Sequence, residues 1–94
     1  MGIMRKRVEV FYTGRVQGVG FRYTTREIAK GFEISGFVQN LEDGRVELAA
    51  EGEESEVREF LQAIRTSQLG DHIRSASETW KETTENCKGF VIAH

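Results

Sequence analysis

Apolar and charged positions alternate from the start of the chain. Val8, Val10 and Tyr12 interleave with Arg7, Glu9 and Phe11, which predicts a strand over about 7–13. A glycine-rich run, GRVQGVGFR, follows, with Gly14, Gly18 and Gly20 closely spaced. From Phe21 the period changes: Phe21, Thr25, Ile28, Ala29 and Phe32 fall near helical spacing, and Gly31 sits where a C-terminal cap belongs. The segment ISGFVQN, 34–40, reads as a second strand, and Asp43-Gly44 is a strong hairpin signal. Val46, Leu48 and Ala50 then alternate with Arg45, Glu47 and Glu51. A second helix is predicted from Ser55 to Arg65, with Val57, Phe60, Leu61 and Ile64 on one face. Residues 73–81 form a weak strand candidate, and Phe90 to His94 a short, better one.

The element order is βαββαβ, with the last two strand candidates also available to pair with each other. Right-handed crossovers let both helices cover the same side of a sheet. The fold class expected is α+β: a ferredoxin-like βαββαβ sandwich, two helices packed on one face of a four- to five-stranded, mainly antiparallel sheet. No repeat, linker or low-complexity segment interrupts it, so residues 1–94 are expected to form a single domain.

Composition narrows the function. Apolar residues make up 38% and charged residues 30%, a soluble balance. The net charge of −2 argues against a nucleic-acid binder that relies on bulk positive charge. Cys87 is the one cysteine, read as a reduced thiol, and no intrachain disulfide can form. No metal is expected: His72 and His94 are far apart, and Glu53, Glu54 and Glu56 read as a solvated helix start that complements the helix dipole. The basic cluster Arg5, Lys6, Arg7 is followed by Glu9, which interrupts a signal-like apolar run. Met1-Gly2 is not followed by the Ser or Thr that myristoylation wants, because Lys6 stands there. No stretch approaches the ~18 apolar residues of a membrane span. A cytoplasmic monomer with no membrane association is expected.

The glycine run joins the end of a strand to the start of a helix. Helix starts carry unpaired backbone N–H groups and a partial positive charge, which suit anions. Glycines allow the preceding loop to turn its own N–H groups inward. Arg22, in the first helical turn, adds a forked guanidinium that can grip two oxygens of one phosphate. Two readings fit these residues equally, a tight turn and a one-phosphate cradle. A P-loop is excluded because no lysine with an adjacent Ser or Thr follows in register, and a dinucleotide fingerprint would need its glycines in another order.

The chain resembles the acylphosphatase family. The family signature G-x-V-Q-G-V-x-F-R is matched by Gly14, Val16, Gln17, Gly18, Val19, Phe21 and Arg22. A second signature is matched by Gly36, Phe37, Val38, Asn40, Asp43, Gly44, Val46 and Glu47, and Glu51-Gly52 and the Phe90-x-Ile92 ending also fit. The resemblance implies the ferredoxin-like sandwich and hydrolysis of acyl phosphates to a carboxylate and inorganic phosphate, with no cofactor. It implies that Arg22 binds the phosphate with the backbone of Gln17, Gly18, Val19, Gly20, Phe21 and Arg22 itself, and that Asn40 holds the attacking water. Three positions depart from the family pattern. Gln39 replaces a usual Arg or Lys, which predicts a weaker positive potential and lower substrate affinity. Phe37 replaces a frequent tryptophan, and the chain lacks the proline often found near the Gly70-Asp71 corner.

Three other functions share this element order. RNA-recognition domains do, and KGFVIAH, 88–94, echoes one of their motifs, but it lies on the final strand and lacks the second aromatic, so no nucleic-acid partner is expected. Acylphosphatase-like domains also open hydrogenase-maturation proteins. Those continue into zinc-binding segments, whereas this chain ends at His94 with one cysteine, which favours a free-standing enzyme. An inactive, partner-binding relative is disfavoured by the presence of both Arg22 and Asn40.

Overall fold

The computed structural model describes residues 4–83 and 89–93. Met1, Gly2, Cys87, Lys88 and His94, which entered the sequence reading, lie outside the described residues. The elements are β1 (Arg5–Gly14), α1 (Phe21–Ala29), β2 (Ile34–Asn40), β3 (Val46–Glu53), α2 (Glu54–Thr66), a 3-10 turn (Gln68–His72), β4 (Ile73–Glu82) and β5 (Phe90–Ile92). They form a five-stranded sheet in the order β4-β1-β3-β2-β5, antiparallel except for the β2–β5 pair. The expected ferredoxin-like α+β sandwich is therefore present.

Alternation along the central strands builds the core. Val8, Val10 and Tyr12 of β1 stand opposite Ala50, Leu48 and Val46 of β3, and Val38 of β2 stands opposite Leu48 from the other side. All of these are buried. The helices close this face with Phe21, Thr25 and Ala29 from α1 and Val57, Phe60, Leu61 and Ile64 from α2. The Phe60 ring meets Phe32 at 5.9 Å and Phe90 at 5.4 Å, so one side chain joins α2, the end of α1 and β5. Truncating such a ring costs about 3–5 kcal/mol.

Two sequence expectations are corrected. The last two strands do not pair with each other, because β4 takes the free edge of β1, from Lys6↔Glu82 to Gly14↔Ile73, while β5 takes the free edge of β2. Gly31 does not cap α1 in a left-handed conformation, as its φ is not positive. Instead the N–H groups of Lys30, Gly31 and Phe32 donate three residues back, to Glu27, Ile28 and Ala29. The helix thus ends in a tightened turn that brings Phe32 down onto Phe60.

This topology places a site. β1 and β2 are both antiparallel to β3, so they run in the same direction and end at the same edge of the sheet. Tyr12 and Asn40 lie level, each opposite Val46. β5 runs parallel to β2 and carries Ile92 toward that same end.

Candidate active site

The glycine loop leaves β1 at a register shift between Thr13 and Gly14, where Arg15 N–H donates to the His72 carbonyl at 3.0 Å. Gly18 (φ +79°) and Gly20 (φ +77°) both occupy the left-handed region. Gly20 caps α1, and its carbonyl accepts the Thr24 N–H at 2.9 Å. A Cβ on Gly18 would meet nothing within 4 Å, so the conformation, not local crowding, calls for glycine there. Among the described residues, no N–H between Arg15 and Thr24 is taken by a backbone carbonyl.

The loop, the start of α1 and the end of β2 enclose a cavity of about 250 Å³. Its polar side is made by Gly18, Gly20, Arg22 and Asn40, and its apolar wall by Val16, Phe21, Tyr23 and Ile92. Among the described residues, the Arg22 side chain makes no hydrogen bond or ion pair. Asn40 Oδ1 is buried and, among the described residues, has no hydrogen-bond partner. A buried acceptor calls for a donor, so this oxygen is open to one brought into the cavity.

Of the six residues expected to form the cradle, Gly18, Gly20, Phe21 and Arg22 line the cavity, whereas Gln17 and Val19 do not. Val19 packs against the core. The Phe21 ring is turned inward onto Tyr12, centroids 5.1 Å apart, and contributes to the core as well as to the wall.

Gln17 has a role that sequence reasoning missed. Its Nε2 donates to the carbonyls of Leu41 and Arg45, at 2.8 and 2.9 Å, which fastens the glycine loop to the β2–β3 hairpin. The hairpin is itself tightly drawn: Leu41 N–H donates to Arg45 and Gly44 N–H to Leu41. Asp43 accepts from the Arg45 backbone N–H at 3.1 Å and from Arg45 Nε at 2.8 Å. The backbone bond first, and the Arg45 side chain after it, hold the Asp43 carboxyl below the usual range.

Gln39, adjacent to Asn40 on the same strand, projects to the opposite face of the sheet and donates to Glu47 at 2.7 Å. Any effect of the missing basic residue would reach the cavity from behind the sheet. Trp80 packs beneath the Arg58 guanidinium, 4.3 Å from it. Among the described residues no group of three or more His, Cys, Asp or Glu side chains could hold a metal, and no helix is long and apolar enough to cross a membrane.

The acylphosphatase family model matches residues 8–92. The acylphosphatase of Archaeoglobus fulgidus is 41% identical over 87 residues, covering 93% of this chain and 97% of the relative. The crystal structure of acylphosphatase from Bacillus subtilis superposes with a TM-score of 0.87 at 34% identity, over 95% of this chain and 99% of that one. Full-length HypF, in a phosphate- and nucleotide-bound form, is similar over the whole of this chain at 25% identity and a TM-score of 0.84, but this chain covers only 12% of it. The family match over residues 8–92, the near-full-length sequence identity and the shared fold agree, and the chain belongs to the acylphosphatase family.

Proposed function

We propose that, in the acyl phosphate hydrolysis of this family, Arg22 and the N–H groups of the Gln17–Arg22 stretch hold the phosphate while Asn40 positions the attacking water. One observation carries the reading: an Arg22 guanidinium without a side-chain partner and a buried, unpartnered Asn40 oxygen line the same cavity.

The chemistry asks little more of the chain. The leaving group is a carboxylate, which departs without a strong general acid. The phosphoryl group must be held, charge on its equatorial oxygens stabilised, and water aimed in line. Arg22 and the loop N–H groups meet the first two needs as donors fixed before the reaction begins. Asn40 cannot deprotonate water, but its Oδ1 can accept a hydrogen bond and thereby orient the water's lone pair. As the new P–O bond forms, the bond to the acyl oxygen breaks, its electron pair leaves with the carboxylate, and the water proton passes to a phosphate oxygen.

We place this reaction in a cytoplasmic monomer made of the single domain 1–94, with no other partner. The lone cysteine and the small net charge support that setting. The test is hydrolysis of acetyl phosphate with EDTA present and the Arg22→Ala variant alongside. Turnover that disappears in the variant supports the assignment, and equal turnover in both would remove Arg22 from it. A single species at the monomer mass in sedimentation would support the oligomeric state.

A further inference from the structure

A second cavity, of about 230 Å³, lies between α2 and β4, away from the catalytic end of α1. Arg58, Leu61, Gln62 and Arg65 reach it from α2, at the i, i+3, i+4 and i+7 spacing of one helix face. From the sheet come Tyr12, Glu78 and Trp80. None of these seven residues lines the catalytic cavity.

Opposite charges occur here without meeting. Among the described residues Arg65 makes no ion pair, and Glu78 pairs with no cation. Both nevertheless act on the Tyr12 phenol: burial first and then Glu78 push its ionisation upward, while Arg65 opposes them. The Tyr12 side chain is only 3% exposed, yet the mechanism above gives its hydroxyl no work.

The remaining members are held in place. Trp80 Nε1 donates to Glu78 Oε1 at 3.1 Å, which orients the carboxylate and leaves its second oxygen uncommitted. Arg58 is tied to Glu54 at 2.8 Å and lies over the Trp80 ring at 4.3 Å, so its charge is already compensated. Arg65 and Glu78 are therefore the uncompensated charges of the cavity. Glu78, held by the Trp80 indole, loses little freedom when a ligand arrives, which favours binding.

From this juxtaposition of an unpaired Arg65, an oriented Glu78 and the Tyr12 hydroxyl, we infer that the α2–β4 cavity is a binding site for a zwitterionic α-amino acid with an apolar side chain. The ligand carboxylate faces Arg65 and the Gln62 amide. Its ammonium faces Glu78, and its side chain lies against Leu61 and the Arg58–Trp80 stack. A simple anion would meet Glu78 without compensation, and a simple cation would meet Arg65 in the same way. A ligand carrying both charges satisfies both walls.

Trp80 is the chain's single tryptophan, so its fluorescence reports on this cavity directly. The experiment titrates L-phenylalanine into the protein, with L-phenylalaninamide, N-acetyl-L-phenylalanine and inorganic phosphate in parallel. A saturable change in Trp80 emission is expected with phenylalanine, about tenfold weaker with the amide or the N-acetyl derivative, each lacking one charge, and absent with phosphate. Arg65→Ala and Glu78→Gln should each weaken phenylalanine binding about tenfold, and Arg22→Ala should leave it unchanged. Glu78→Gln can still accept the indole N–H, so that variant changes charge with little change in shape. No saturable response, or equal affinity for all three organic probes, would overturn the inference. So would undiminished binding in both cavity variants, or loss of binding in Arg22→Ala. The Trp80 indole N–H resonance, followed in the same titrations, separates a ligand in the cavity from general quenching.

Discussion

Gln17 donates its side-chain amide to the carbonyl of Leu41, the residue immediately after Asn40. The glycine loop is thereby tied to the strand end that carries Asn40. Replacing Gln17 by alanine should cost about 1 kcal/mol of stability, since the Leu41 and Arg45 carbonyls each lose one of two donors and keep a hairpin N–H. It should also lower kcat by about tenfold or more, because small misplacements of reacting groups are expensive in rate. Urea unfolding and steady-state kinetics on one preparation separate the two effects. Gln17→Glu should be worse than alanine, as a carboxylate would face two carbonyl oxygens. Wild-type activity in that variant would remove the fastening role.

Arg22 and Asn40 should fail in different ways. Arg22→Lys keeps the charge but loses the fork, so inorganic phosphate inhibition should weaken together with kcat/KM. Asn40→Ala should reduce kcat by about 10²–10³, the usual loss for one positioned polar group, with the phosphate inhibition constant nearly unchanged. A parallel loss of both quantities in Asn40→Ala would make Asn40 structural.

Two glycines separate folding from function. A Cβ at Gly36 (φ +148°) would collide with the Ala49 carbonyl of the neighbouring strand, so Gly36→Ala should cost about 3 kcal/mol or more. Gly18 also has a positive φ, but a Cβ there enters open space beside the cavity. Gly18→Ala should cost only about 1–2 kcal/mol while phosphate affinity falls, a result read by thermal unfolding and inhibition together.

Alkaline pH should reveal Tyr12. Its ionisation is pushed upward, mainly by burial and further by Glu78, so the fold favours the neutral phenol. A group whose ionisation is raised by folding contributes stability that is fully present below its unfolded value, near 10.0 for tyrosine, and is lost as pH rises beyond it. The urea midpoint should therefore fall above about pH 10, and fall less steeply in Tyr12→Phe. Identical slopes in the two proteins would place the alkaline sensitivity elsewhere.

The elements that could be read from the chain are those whose period is enforced by burial on one side. β1, α1, the β2–β3 hairpin and α2 each show it, and their bounds came out within a few residues. β4 was faint for a physical reason: it is an edge strand on which Ile73, Ala76 and Trp80 are only half-buried and most other side chains face solvent. Its partner was misjudged because strand neighbours are chosen across the whole sheet, and nothing within 73–92 encodes that choice. Gly31 looked like a cap by position alone, yet the turn closed through three-residue hydrogen bonds without needing it. Arg22 and Asn40 were visible through the family motifs. Gln17 stood inside the same motif, but the carbonyls it meets belong to another loop, and no local pattern names them.

β3 lies between β1, which leads through the glycine loop to Arg22 on α1, and β2, which carries Asn40 at its end. Neither residue can take its place beside the other until both flanking ladders have formed. One of them joins residues as far apart in the chain as Arg5 and Glu53. Closing such long loops is entropically slow, so sheets of this connectivity acquire their order late and together. The juxtaposition of Arg22 and Asn40 therefore exists only once both ladders are in place, and a chain lacking either ladder carries the two residues without the cavity they share.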